Sequence, residues 1–504
     1  MDGVGISADK KHNAVATAKM PFYQRLLREY PHTRLTAHGP TVGLLPGAMG
    51  NSEVGHITIG SGRVVNQFQR RFQIENESGR IAANPRLVKF IRDVKKDGGI
   101  VHLLGLTSDI GVHSDINEAI TVARIVMAAG PRICFHFVAD GRDTPQKAAE
   151  KYILKLNRAF AKEIKSGQLF FGTLSGRYYT MDRNQNWDRT QRSFDAIALG
   201  RAEFSAPDIT SALRAAYARG ETDEFIKPTI IKNDLSPVAL AKGDGLLFTN
   251  YRSDRARQIL QAFSTCSVIS NVKRPANYVS PHVLSFSEYG GETDNCVPAL
   301  LADIPIKNTL GDVLAAHGLR QLRISETEKY THATYYFDGE RTIDYPGEEK
   351  ILIPSADVST FDLKPEMSAA EITDNVMRRL AKYDVIIINY PNGDMIGHTG
   401  IMSAAIKAME TLDAQLARLV PAVLKLGGTM LITADHGSVE KMWDEKLNVA
   451  WTAHTTNKVP FIVVSGLPPV ALAKGGGLSD IAPTILKILG LKQPKEMTGK
   501  SLIN

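Results

Sequence analysis

The sequence predicts an α/β protein of two domains, a doubly wound sheet domain interrupted by a second α/β unit. Three observations predict it. The 504 residues exceed what one hydrophobic core usually serves. Residues 368–490 alternate amphipathic helices with continuous apolar runs. Residues 99–263 repeat that alternation with different residues.

In the middle block, "GIVHLLGL" and "RICFHFVA" read as strands, and "INEAITVARIVMAAG" and "KAAEKYILKLNRAFAKEI" as helices. "DGLLFTNY" leads into the helix "SDRARQILQAF". In the C-terminal block, "SAAEITDNVMRRLAKY" opens with a capping box, Ser368-x-x-Glu371, and feeds the buried strand "DVIIINY". A helix near 402–426 follows, then strands "TMLITA" and "VPFIVVSG" and a closing helix over 479–490 with Gly490 as its C-cap. Helices between buried strands imply a mostly parallel sheet covered on both faces. Polar or proline-bearing connections near 66–70 and 300–306 put the borders at 1–66 with 303–504, and 67–302.

Composition narrows the function. The net charge is +7, but Lys and Arg are scattered among acids with no aromatic-interleaved basic stripe, so no nucleic-acid partner is expected. A small anionic substrate accounts for the excess equally well. The longest apolar runs, such as "VIII" at 385–388, are too short to cross a bilayer, and the N-terminus has no apolar leader, so a cytoplasmic location is expected. Three dispersed cysteines, Cys134, Cys266 and Cys296, read as reduced thiols.

The ends of the C-terminal strands carry acids and histidines. "NGDMIGHTG" spaces Asp394 four residues before His398, "TADHGSVE" sets Asp435 beside His436, and "TAHTTN" places His454 ahead of a strand. Singly, each reads as a turn or a helix-surface pair. At three strand ends that share one edge, they read as metal ligands, of a chemistry that suits Mn²⁺ or Zn²⁺ more than Mg²⁺. "MGNSEVGH" (49–56) poses a separate question: Ser52 is either a helix N-cap or a nucleophile.

These stretches, with "VADGRDTP", "LSGRYYTMDRNQNWDR", "RSDRARQ" and "LRISETEKYTHATYYFDG", resemble the cofactor-independent phosphoglycerate mutases of the alkaline phosphatase superfamily, in order and over nearly the whole chain. The resemblance implies an alkaline-phosphatase-like sheet domain with an inserted substrate domain. It implies interconversion of 3- and 2-phosphoglycerate through a phosphoserine at a two-metal site, without 2,3-bisphosphoglycerate. Asp394, His398 and His454 would hold one metal, and Asp2, Asp435, His436 and Ser52 the other, with Ser52 the nucleophile. Mn²⁺ is the expected ion, with Mg²⁺, Co²⁺ or Zn²⁺ as alternatives.

Lys329 would neutralise the transferring phosphoryl group. His113, Arg142, Asp143, Arg177, Arg183, Arg252 and Arg255 match the family's substrate set. Independently of the family, Arg grips carboxylate and phosphate as a fork where Lys cannot. A monomer is implied, and closure of the inserted domain would keep water from the intermediate. His56 reads as a packing or supporting histidine. His102, His136 and His332, in strand-like segments, read as satisfied core histidines.

The chain departs from the family at its start. Asp2 follows only Met1, where the family has an apolar strand, so an upstream natural start is expected, or else a truncated inactive relative acting as a binding protein. Ile110, Asp115, Ser253 and Ser438 are smaller departures, and Ile110 would matter if its backbone needed a positive φ. A metal-dependent phosphomonoesterase or phosphopentomutase is the nearest rival, and the motifs "GRDTP", "SGRYYTMDR" and "RSDR" argue against it.

Overall fold

The computed structural model describes residues 1–232, 239–264, 271–466 and 471–503, so Cys266 lies outside the described residues. The chain divides into two compact units, Met1–Arg70 with Pro305–Asn504, and Arg71–Ile304.

The first unit contributes β1 (His32–Leu35) before the chain enters the second. There β2 (Val101–Leu106), β3 (Ile133–Ala139), β4 (Leu169–Gly176), β5 (Phe204–Ala206), β6 (Thr229–Ile231), β7 (Gly245–Phe248) and β8 (His282–Ser285) form one sheet. Its order is β5-β6-β4-β3-β2-β7-β8, parallel except for the β4/β6 pair. Strands β2, β3 and β4 are buried throughout, as both-sided helix cover requires.

The helix Ile116–Ala128 starts at Asp115, whose carboxylate accepts from the Asn117 amide. Just upstream, the left-handed conformation falls on Gly111 (φ 76°) and not on Ile110, so that substitution carries no backbone strain. On the helix, Glu118 is buried and its Oε2 has no hydrogen-bond partner among the described residues. Burial, with Asp115 nearby, pushes its pKa up to about 9. The folded state therefore holds a proton that the unfolded chain releases above its ordinary carboxyl pKa. Relative to Glu118→Gln, the wild type is expected to lose about 1.4 kcal/mol of stability per pH unit between the unfolded and folded values, and nothing below them. Denaturant melts of both proteins across pH 4 to 9 check the slope; parallel curves would refute it.

Back in the first unit, β9 (Gln321–Glu326), β10 (Glu348–Ile353) and β11 (Val385–Ile388) pair in parallel, in the order β10-β9-β11. Then β12 (Thr429–Thr433) is followed by a two-residue ladder, β13 (Trp443–Asp444) with β14 (Val449–Ala450), and by β15 (Val459–Ser465). The order β1-β15-β12 is antiparallel throughout. The α/β class holds, but the C-terminal strands fall into two sheets and β12/β15 is antiparallel. No helix separates those two strands in sequence, so nothing forces a parallel crossover.

The apolar runs of β11 and β12 are mostly half-buried, because each ends its own three-stranded sheet. The first two residues join the two: the Met1 ammonium donates to the Thr433 carbonyl at 2.9 Å and the Asp2 amide to Tyr390 at 3.0 Å. The expected capping box at Ser368 does not form. The helix Ala369–Met377 begins there, but the Ser368 hydroxyl donates to the Pro354 carbonyl and its amide to Glu326. Gly490 does adopt the left-handed conformation (φ 68°) after the closing helix Ile481–Ile488.

Candidate active site

Asn51, not Ser52, caps the helix Ser52–Ser61: its side chain accepts from the Val54 amide at 3.0 Å. Ser52 is thus released from capping and occupies the first helical position, where free amides favour an anion. The glycines of "MGNSEVGH" serve close approach. A Cβ at Gly55 would lie 2.8 Å from that of Asp435, so only glycine lets the helix lie against that loop.

Antiparallel pairing explains the next convergence. Asp435 and His436 follow the C-terminal end of β12, and His454 precedes the start of β15, so both loops leave from the same edge. Asp394 and His398 sit one turn apart on and just after the short helix Asn392–Gly397, which follows β11. Asp394 Oδ1 is 3.2 Å from His398 Nε2 and 3.0 Å from His454 Nε2, and the two Nε2 atoms are 3.2 Å apart. Both rings spend Nδ1 on backbone carbonyls, Thr452 and Gly50, each at 2.8 Å. That leaves both Nε2 atoms turned toward Asp394 Oδ1, the arrangement of metal-ligating histidines.

Ser52 Oγ lies 2.9 Å from His436 Nε2, 3.2 Å from Asp2 Oδ1 and 2.5 Å from Lys329 Nζ. Lys329 also reaches Asp394 at 2.6 Å and Asp2 at 3.4 Å. Burial opposes its charge, but the carboxylates of Asp2, Asp394 and Asp435 raise its pKa and keep it an ammonium. His436 is likewise desolvated, yet Asp435, Asp2 and Asp394 push it up to about 10.

Three buried carboxylates thus draw cations and protons into one place. Asp435 Oδ2 is buried with no hydrogen-bond partner among the described residues. Divalent cations fit this donor set: they would balance the carboxylates and leave the imidazoles neutral. Two supporting residues escaped the sequence reading. Asn389, just past β11, donates to Asp2 Oδ2 at 2.8 Å and lies 3.0 Å from His56 Nε2. Glu440 accepts from the Gly5 amide at 2.9 Å and the Ser438 amide at 2.8 Å, anchoring the first residues to the Asp435 loop. His56 turns Nδ1 onto the Ser52 carbonyl at 2.8 Å, a supporting place. His332 opens a helical turn, not a strand.

The second unit gathers a different cluster. Arg177 pairs with Asp140 at 2.7 Å and Asp143 at 2.5 Å, and its Nη2 meets His113 Nε2 at 3.0 Å. Burial first, then Arg177, lower the His113 pKa to about 4, so the ring is neutral. Asp254, unrecognised in "RSDR", joins Arg183 at 2.8 Å and Arg252 at 3.3 Å, with His113 Nδ1 at 3.7 Å. Among the described residues, His113 Nδ1, Asp254 Oδ1, Arg177 Nε and Asp140 Oδ2 are buried without hydrogen-bond partners, as at a polar ligand site. Arg255 donates to the Met181 carbonyl at 3.1 Å and feels Arg177, Arg183 and Arg142. Arg142 is half-exposed and turned toward Glu224 at 3.7 Å, outside the hydrogen-bonded cluster.

Comparison with known proteins agrees with this chemistry. The Metalloenzyme superfamily model matches residues 1–493. The 2,3-bisphosphoglycerate-independent phosphoglycerate mutase of Ectopseudomonas mendocina is 44% identical over 506 residues, covering 100% of this chain and 97% of that protein. A Methanosarcina barkeri protein, 2,3-bisphosphoglycerate-independent phosphoglycerate mutase 2, is 45% identical over 519 residues with the same coverage. Among solved structures, Leishmania mexicana phosphoglycerate mutase, crystallised at low cobalt concentration, has a TM-score of 0.71 at 31% identity, covering 100% of this chain and 96% of that one.

Proposed function

We propose residue roles for a chain that belongs to the Metalloenzyme superfamily and, within it, to the 2,3-bisphosphoglycerate-independent phosphoglycerate mutases. It is an isomerase that interconverts 3-phosphoglycerate and 2-phosphoglycerate, depends on divalent metal and needs no 2,3-bisphosphoglycerate. Ser52 is the nucleophile. One observation carries this: its hydroxyl, at a helix N-terminus, has an ammonium, an imidazole and a carboxylate all within hydrogen-bonding distance.

Ser52 Oγ gives up its proton and bonds to phosphorus as the ester bond to the 3-oxygen of glycerate breaks, and that oxygen takes up a proton. The 2-hydroxyl then loses its proton and bonds to phosphorus as the bond from phosphorus to Ser52 Oγ breaks, and Oγ takes a proton back as the serine hydroxyl. Lys329, held by Asp394 and Asp2, offsets phosphoryl charge in both steps. Asp394, His398 and His454 would hold one divalent ion, and Asp2, Asp435, His436 and Ser52 the other. Bound there, such ions would polarise the phosphoryl group and acidify the serine hydroxyl.

The mixed imidazole and carboxylate set supports Mn²⁺ over Mg²⁺. His113, Asp143, Arg177, Arg183, Arg252 and Arg255, with Arg142 nearby, bind the anionic substrate. A monomer in the cytoplasm completes the reading, on its resemblance to the family and its dispersed cysteines.

The test is conversion of 3- to 2-phosphoglycerate with Mn²⁺ and without 2,3-bisphosphoglycerate, free phosphate being followed in parallel. Product that accumulates without phosphate release is the expected result. Phosphate release alone would give the phosphomonoesterase reading, and no turnover in a metal-loaded protein the inactive-relative reading. Arg252→Ala removes a half-exposed guanidinium and is expected to lower kcat/KM by about 10–100-fold at unchanged Tm. Unchanged kinetics would remove Arg252 from the substrate set.

A further inference from the structure

The interior of the second unit holds another set of metal-ligating side chains, on β2 and β3, that phosphoryl transfer does not use. His102, Cys134 and His136 are fully buried, and their ligand atoms all lie within 4.8 Å of one another. His102 Nδ1 is 2.8 Å from His136 Nε2, and Cys134 Sγ is 3.6 Å from the same nitrogen. The rings stack with centroids 5.1 Å apart.

Each ring's outer nitrogen is already engaged. His102 Nε2 faces Asp244 Oδ2 at 3.3 Å, and His136 Nδ1 faces Thr173 Oγ1 at 2.9 Å. Asp244 is itself fixed by the amides of Ile100 at 2.8 Å and Ala241 at 2.7 Å. A carboxylate or hydroxyl on the far nitrogen is the usual support behind a metal-bound imidazole.

A β-bulge shapes the space. The β3/β4 pairing shifts register between Phe135 and His136, so Thr173 comes opposite His136 and Gly172 is the extra residue. A Cβ at Gly172 would lie 2.4 Å from Cys134 Sγ and 2.9 Å from His136 Cε1. The strand is side-chain-free beside the sulfur and the ring.

We propose that His102 Nδ1, Cys134 Sγ and His136 Nε2 form a buried site for a thiophilic divalent cation, Zn²⁺. Zinc–sulfur and zinc–nitrogen bonds of about 2.3 and 2.05 Å at a tetrahedral angle put S and N about 3.5 Å apart, close to the separation seen. The two nitrogens need to part by only about 0.5 Å on the same geometry. Charge closes as well: two positive charges meet the Cys134 thiolate and the Asp244 carboxylate, so the occupied site carries no net charge. Binding releases one proton, from Sγ. The His136 proton moves from Nε2 to Nδ1, where Thr173 Oγ1 accepts it.

The test is the full-length protein expressed in cobalt-supplemented minimal medium, so that metal is present as the chain folds. A near-ultraviolet thiolate-to-cobalt absorption band is expected, because the ligands proposed at the catalytic centre include no sulfur. Zinc-grown protein is expected to keep one equivalent of metal after exhaustive chelation of the native state. Both signals are expected to vanish in Cys134→Ser and to persist in His436→Asn. No such band in the cobalt-grown wild type would overturn the proposal, whatever the variants do. A band retained in Cys134→Ser would overturn it too, by tracing the sulfur to another cysteine.

Discussion

Ser52→Ala is expected to reduce turnover by about 10⁴-fold or more and to abolish the phosphoenzyme. The alanine keeps the helix, because Asn51 makes the cap and its bond to the Val54 amide is untouched. Folding is therefore expected to survive, with Tm within a few degrees of wild type. Intact-protein mass spectrometry of acid-quenched reactions checks the chemistry: a phosphorylated wild type and an unmodified variant are expected. A variant that still turns over at the wild-type rate would move the nucleophile elsewhere and leave Ser52 a neighbour of Lys329.

Chelation of the divalent ions is expected to abolish activity and Mn²⁺ to restore it, with a pH dependence set by the ligands themselves. In the metal-free protein the buried carboxylates keep His436 protonated up to about pH 10, against the effect of burial, and the hydrogen bond to Asp394 raises His398 as well. A metal ion must displace those protons. Below pH 10, apparent affinity is thus expected to fall about tenfold per pH unit through the His436 proton, more steeply where His398 is protonated as well, and to level off above pH 10. Isothermal titrations at several pH values, with proton release read from buffers of different ionisation enthalpy, check the slope. A flat profile from pH 6 to 9 would mean the imidazoles take no part. Asp394→Asn, at the carboxylate shared by His398, His454 and Lys329, is expected to weaken binding and flatten that dependence.

Several features were legible in the chain because they are local. Strand-length apolar runs, helical spacing and the four-residue step from Asp394 to His398 all act over one or two turns, and the structure builds each near its expected place. Local signals also misled where a tertiary partner competed. Ser368 heads a helix with Glu371 in the right place, yet its hydroxyl goes to Pro354, because a chain segment passes within reach. Ser52 has the residue type of a cap, but its neighbour Asn51 takes the amide.

Other features have no local signature. Asp254 and Asn389 look like ordinary loop residues in sequence. Only the packing of distant strands places one against His113 and Arg183 and the other against Asp2. The bulge at Gly172 is a register shift between two strands, invisible until both are paired.

By itself, the sequence determined the α/β class, the two alternating blocks and the chemical identity of the side chains, since periodicity and residue type are properties of the chain. Tertiary structure decided which sheet each C-terminal strand joined and that β12 and β15 run antiparallel. It also decided that Ser52, Lys329, Asp394 and His436 meet. Those residues lie tens to hundreds of positions apart, and only the packing of helices and strands from two sheets, held by buried apolar contact, can bring their polar atoms within a hydrogen bond of one another.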